Sequence, residues 1–271
     1  MLLLRVHQLR VAHARVRLSP SLFTPPKRSS LPTHTFAKRF RSHGRGSSSN
    51  RSSRGQSKSF SLDDIPTNTV FWSIIGINGA VFGLSWWARQ KLVVERDPTW
   101  MRWLQDNFYL SWKNLQAGRV WTLVTSMFTH SNSDISHILF NGFTFYFMAP
   151  MTLNILGSKQ FLLLYIGGGI AADLIAMAYK RIFQNGRDPY TVGASAAIYS
   201  MLSFLACAAP RMQLLLYGIV PVPIWLVVSG SFAYESYRTA KETGGTTDTL
   251  GHIGGIISGV GYFLLRRYRV F

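Results

Sequence analysis

The chain has 271 residues, 47% of them hydrophobic and only 15% charged. Soluble chains carry about a quarter charged residues, so the shortage points to lipid and argues against an ordinary water-soluble enzyme. The formal charge of +18 does not argue for nucleic acid, because 13 of the 29 basic residues precede Asp63, the first acidic residue, which leaves 16 against 11 acids in the body.

Residues 1–62 are rich in Arg and Ser and open with Arg5, Arg10, Arg15 and Arg17 set among Leu, Val and Ala. A basic amphipathic start of this kind has the composition of an organelle transit peptide, whereas a secretory signal has a longer apolar core. The Arg/Ser/Gly tract over residues 45–55 is low in complexity and is expected to be disordered. Import into the mitochondrion is the expectation, with a plastid or other organelle as the alternative and a tail binding RNA or lipid head groups as the rival.

Six apolar spans follow, at about 68–88, 138–156, 160–179, 192–209, 214–234 and 250–265. Together they define an all-α membrane protein, with residues 63–271 as one six-helix domain in contact with the lipid bilayer and no nucleic-acid partner. Gly167, Gly168 and Gly169, and the series Gly251, Gly255 and Gly259, suit helices whose backbones approach closely. Pro221 and Pro223 place the start of the fifth helix proper near them. Cys207, the only cysteine, excludes an internal disulfide and a multi-cysteine metal site and is read as a small packing residue. The long loop over about 89–136 carries Trp100, Trp103, Phe108, Tyr109, Trp112 and Trp121, residues that favour the headgroup zone. It is expected to lie in the interface, being too short and too polar to bury much as a separate soluble insert.

Ser195, with Gly193, Ala194, Ala196 and Ala197 around it, opens the fourth span, about 18 residues or roughly 27 Å long. In an alternating six-helix bundle the second, fourth and sixth spans all enter from the face bearing the long loop. His137, Ser195 and His252, near the starts of those spans, therefore share one shallow depth whatever the orientation. A serine hydroxyl needs a neighbouring base to become a nucleophile, and histidine suits that task near neutral pH. His137 and Asn141 are four residues apart, hence on one helix face, and both can donate to a tetrahedral oxyanion. The glycine series on the last span lets its helix approach the one bearing Ser195, which would bring His252 within reach. Taken singly, Ser195 is a helix-packing serine, His252 an interfacial histidine and Asn141 an interhelical hydrogen-bonder; polar groups at one depth in hydrocarbon point together to function. A zinc site of His130, His137 and His252 is the rival, without the Glu-bearing helix or clustered cysteines that such sites use.

The His-x-x-x-Asn pair at 137–141, the Gly-Ala-Ser at 193–195 and the late His-x-Gly-Gly at 252–255 resemble the rhomboid intramembrane serine proteases over about residues 68–268. The resemblance implies six helices around a water-filled cavity, a Ser–His dyad without a third acidic member, no metal and no cofactor. Carried over, Ser195 is the nucleophile, His252 the general base, and His137, Asn141 and the Ser195 backbone N–H the oxyanion hole. Tyr199 matches the tyrosine stacked on the catalytic histidine, and Gly193 the glycine of the Gly-x-Ser motif. The family usually has glycine after the serine, where this chain has Ala196. It often has a Trp-Arg pair in the first loop, where Trp121 is here followed by Thr122 and Arg119 lies two residues earlier. His130, seven residues before His137, pairs with a loop histidine of the family. Asp173 in the third span has no role in this scheme.

The implied activity is cleavage of single-span membrane proteins in the mitochondrial inner membrane, with dynamin-like GTPases and imported proteins as the substrate class suggested by mitochondrial relatives. Small residues at the scissile bond and an easily unwound helix would favour cleavage, since an intact helix holds its carbonyls in hydrogen bonds. A non-catalytic rhomboid-like protein that binds membrane helices for quality control is the second reading, kept open by Ala196. A transporter, which would want matching inverted halves, ranks last. Charge does not orient the chain: Lys180, Arg181, Arg187, Arg238 and Lys241 favour the long-loop face as the inside, whereas the basic tail and Arg266, Arg267 and Arg269 favour the opposite face.

Overall fold

The computed structural model describes residues 61–130, 135–184, 190–216, 219–241 and 248–268; the basic tract on which the transit-peptide reading rests lies outside them, apart from its last two residues. The described chain is mostly helical, and the apolar stretches set where its long helices fall. α1 runs Thr67–Val94, α5 Ile135–Leu156, α6 Ser158–Phe183, α7 Ser195–Ala208, α8 Ile224–Ala240 and α9 Thr249–Arg267. Three of them, α1, α5 and α6, are long and apolar enough to cross a membrane.

The loop after α1 forms three short helices, α2 (Thr99–Phe108), α3 (Trp112–Gln116) and α4 (Thr122–Thr125). Trp100, Trp103 and Trp121 are exposed, but Leu104, Leu110 and Thr122 are fully buried. The side-chain amide of Asn114 donates to the carbonyls of Gln105 and Tyr109, and Arg119 bridges Asp106 and Asn114. The loop thus buries more than its polarity suggests, because one buried asparagine satisfies backbone that would otherwise need water.

The fifth span differs from its expected bounds. Gln213–Leu216 (β1) and Val220–Pro223 (β2) pair antiparallel, and only then does α8 begin, at Ile224 directly after Pro223. Pro221 and Pro223 fit a two-stranded ribbon, where a missing N–H can face outward, but not a helix interior.

α7 is the hub. Nearly all of its side chains are buried, as an apolar-all-round helix requires, and α5, α6, α8 and α9 pack on it. The closest approaches occur where glycine removes a side chain. A Cβ on Gly255 would strike the Ala196 carbonyl and Tyr199, and one on Gly259 would strike Ser200 and Ser203, so α9 lies backbone-to-backbone on α7. A Cβ on Gly254, which the four-residue series omitted, would lie 2.7 Å from the Ala172 carbonyl of α6, whereas one on Gly251 would meet only Asp248, just before α9. Gly168 and Gly169 of α6 abut Ser200, Ala197 and Met127; Gly167 meets nothing. Just before them, Leu163–Gly167 form a π-turn inside α6, a feature that often marks functional regions.

Candidate functional site

α7 starts at Ser195 itself, three residues later than the apolar run suggests. Its 14 residues reach about 21 Å, less than the roughly 30 Å of a bilayer core. Gly193 has φ 129°, a conformation that favours glycine, and this bend turns the chain into the helix. Its N–H donates to the Ser126 carbonyl at 3.0 Å. A Cβ at Gly193 would lie 3.1 Å from Cε1 of His137 and 3.7 Å from Oγ of Ser195, so a side chain there would crowd the space next to both groups. Ser195 is almost fully buried. The N–H groups of the first turn of α7 have no acceptor within their own helix, as at any helix start.

Asn141 and His130 meet: Nδ2 of the asparagine lies 3.1 Å from Nε2 of the histidine, and both side chains are buried. The His130 and His137 rings stand edge to face at 5.6 Å. Burial, with His137 adding to it, lowers the His130 pKa to about 4, so this imidazole is neutral and Nε2 can accept from the Asn141 amide. One amide N–H of Asn141 remains for another acceptor. Asn141, His130, Ala194 and Tyr165 line a cavity of about 330 Å³ together with Trp72 and Gly79 of α1.

On the other side of α7, the ring of Tyr199 lies 4.5 Å from that of His252, tilted by 32°. Nδ1 of His252 is 2.8 Å from Oε1 of Glu235 on α8, with both residues buried. An ionised carboxylate only accepts, so this contact suits the tautomer with the proton on Nδ1 and the lone pair on Nε2. That Nε2 is buried and makes no hydrogen bond among the described residues. The Ser195–His252 bond is therefore not formed in this arrangement; the two residues lie on directly packed helices, with Tyr199 and Gly255 fixing the contact.

The ends of the helices agree about the face. Lys180, at the end of α6, reaches Asp248 at 3.2 Å and Thr191 at 3.5 Å, tying the entrances of α9 and α7. Asp173, two turns earlier on α6, is buried within the electrostatic reach of this pair, and among the described residues it makes no hydrogen bond or ion pair with Ser195 or His252.

Glu235 was not found from the sequence. It is the one acidic residue of α8, and an ionisable residue in an apolar helix is a signal in itself. The expected fifth span stopped at 234 because the hairpin was counted into it, which moved the window off Glu235.

The fold is that of a helical membrane protein, with a buried serine, two buried histidines and an asparagine gathered around one short central helix. A family model described as the Rhomboid domain matches residues 117–269, more than half of the chain. The chain belongs to the rhomboid family, whose members are in the main intramembrane serine proteases. It is similar to "Rhomboid protein 1, mitochondrial" of Saccharomyces cerevisiae, 28% identical over 199 residues, which cover 73% of this chain and 53% of the yeast protein. "RHOMBOID-like protein 12, mitochondrial" of Arabidopsis thaliana is 28% identical over 62% of this chain and 53% of its own length. "Presenilin-associated rhomboid-like protein A, mitochondrial" of Danio rerio is 27% identical over 62% of this chain and 42% of its own. The chain spans about half the length of these relatives, and it is a mitochondrial-type member of the family.

Proposed function

We propose that this protein is an intramembrane serine endopeptidase that cleaves single-span membrane proteins, with Ser195 as nucleophile and His252 as general base. Six helices would traverse the mitochondrial inner membrane, with the aromatic loop of α2–α4 in the headgroup zone and residues 1–62 serving as the import sequence. The observation that carries this reading is the placement of His252: its Nδ1 lies 2.8 Å from the Glu235 carboxylate, and its Nε2 makes no hydrogen bond among the described residues, on a helix packed against the one that bears Ser195.

In the reaction, Nε2 of His252 takes the Ser195 hydroxyl proton as Oγ attacks the scissile carbonyl carbon. The oxyanion is received by donors preorganised at the start of α7: the Ser195 N–H, the remaining Asn141 N–H and the His137 ring. The intermediate then collapses as the amine nitrogen departs with the proton from Nε2. A water molecule repeats the sequence on the acyl-enzyme, restoring Ser195. Small residues around the scissile bond let the substrate helix unwind, since its carbonyl must leave an i→i−4 hydrogen bond before attack.

A fluorescent fluorophosphonate tests this reading on the purified full chain. Labelling is expected in the wild type and is lost in Ser195→Ala and in His252→Ala. Absence of labelling in folded wild-type protein would instead favour a member that binds membrane helices without cutting them.

A further inference from the structure

The resemblance to the family implies a dyad, but the structure holds a third group. Nδ1 of His252 and Oε1 of Glu235 are 2.8 Å apart, a charge-assisted distance, and the two side chains are 7% and 6% exposed. Among the described residues no other carboxylate pairs with the imidazole: Asp248, at the N-cap of α9, turns one carboxylate oxygen to Lys180 instead. From α7, Tyr199 covers the flank of the ring. The imidazole is thereby held from two sides, by a ring contact and by a hydrogen bond from a different helix.

We infer that Glu235 is a positioning residue for His252, acting as the third member of a Ser195–His252–Glu235 relay. The carboxylate fixes the proton on Nδ1, so the base atom is Nε2, which makes no hydrogen bond among the described residues. It also opposes the positive charge that the ring gains when Nε2 takes the Ser195 proton; that proton goes to the leaving amine, and Glu235 neither gains nor loses one. A carboxylate in a buried, apolar helix is costly to hold unless it is paired, and the pairing here is with the imidazole assigned as the base. Glu235 also links α8 to α9, so a tilt of α8 away from the bundle would break the bond and leave the base without its orientation.

The inference rests on the proposed Ser195–His252 chemistry and is tested alongside it. The rate constant of the covalent step and the apparent affinity for the fluorophosphonate are measured separately for wild type, Glu235→Gln, Glu235→Asp and Ser195→Ala in one detergent. Glu235→Gln is expected to slow the covalent step by about a hundredfold with affinity unchanged, and Glu235→Asp to recover at least a tenth of the wild-type rate. Unchanged labelling of Glu235→Gln, alongside silent Ser195→Ala, would overturn the relay but leave the protease reading intact. Labelling that survives in Ser195→Ala would overturn both. A measurement free of the variants' folding is the proton NMR spectrum of the wild type: a low-field resonance coupled to Nδ1 of His252 is expected, assigned by its loss in His252→Ala. Its absence in the wild type would overturn the inference.

Discussion

Glycine means opposite things in the two halves of this molecule. Where α6, α7 and α9 meet, Gly168, Gly254, Gly255 and Gly259 sit where any Cβ would collide with a neighbouring helix. Along α1 and α5, Gly76, Gly79, Gly83 and Gly142 face open space. The first half is a close-packed block with α7 sealed inside it. The second presents large exposed side chains, among them Trp72, Leu139, Phe140 and Phe143, and walls the 330 Å³ cavity. Catalytic geometry of about half an ångström precision belongs on the close-packed half; Tyr199 and His252 lie there, and Glu235 reaches His252 from α8. The cavity half supplies His137, Asn141 and His130, groups that need to receive a substrate rather than resist one.

The sharpest way to break this comparison is to add a side chain to the block. Gly255→Val pushes α9 off Ala196 and Tyr199, both held by backbone or Cβ atoms that have no room to move. Overpacking against backbone is expected to cost about 3 kcal/mol or more and to abolish fluorophosphonate labelling. Thermal unfolding in detergent and the labelling assay check it; a variant with wild-type melting and labelling would show that the α7–α9 contact is looser than its geometry.

The next effect falls on the cavity half and depends on pH. With its pKa lowered from 6.5 to about 4 by burial, His130 binds fewer protons when folded than when unfolded between those values. Its contribution to stability is therefore complete above pH 6.5 and is lost as the pH falls, reaching about 3 kcal/mol by pH 4. Protonation would also remove the acceptor that Asn141 uses. Apparent melting temperature measured from pH 7.5 to 4.5 should fall with this slope in wild type and more shallowly in His130→Asn; identical slopes would remove His130 from the account.

What the sequence made legible follows the same division. Ser195, His137, Asn141, Tyr199 and His252 could be named as candidates because short motifs carry them and because they fall in the first two turns of their helices. Five of the six long helices fell near their apolar runs. The exception, 214–223, shows the limit of hydropathy: Leu214, Leu215, Val220 and Val222 are as apolar as any membrane helix, yet they pair as a ribbon, which Pro221 and Pro223 suit better than a helix interior. That misplacement also hid Glu235, since the half of α8 around Tyr234, Tyr237 and Arg238 is polar enough to read as a loop. Gly254 was named as part of the His-x-Gly-Gly motif, but its packing role was missed for a different reason. A four-residue repeat finds one face of a helix, and α9 packs its second face on α6.

The smallest effect is the one that tests the open half. Gly79 lines the cavity and a Cβ there meets nothing within 4 Å, so Gly79→Ala adds volume without a collision. Alanine is preferred over glycine inside a helix by about 1 kcal/mol, and the exchange should leave melting unchanged or slightly raised. If the cavity receives part of the substrate, the added methyl narrows it; cleavage of a helical substrate then slows by a few-fold, while labelling by the much smaller fluorophosphonate does not change. Equal slowing of both would place the cavity in the chemistry of Ser195 itself, and no slowing of either would separate it from substrate binding altogether. Gly255→Val and Gly79→Ala together thus ask the same residue type, in the same fold, whether its emptiness serves contact or space.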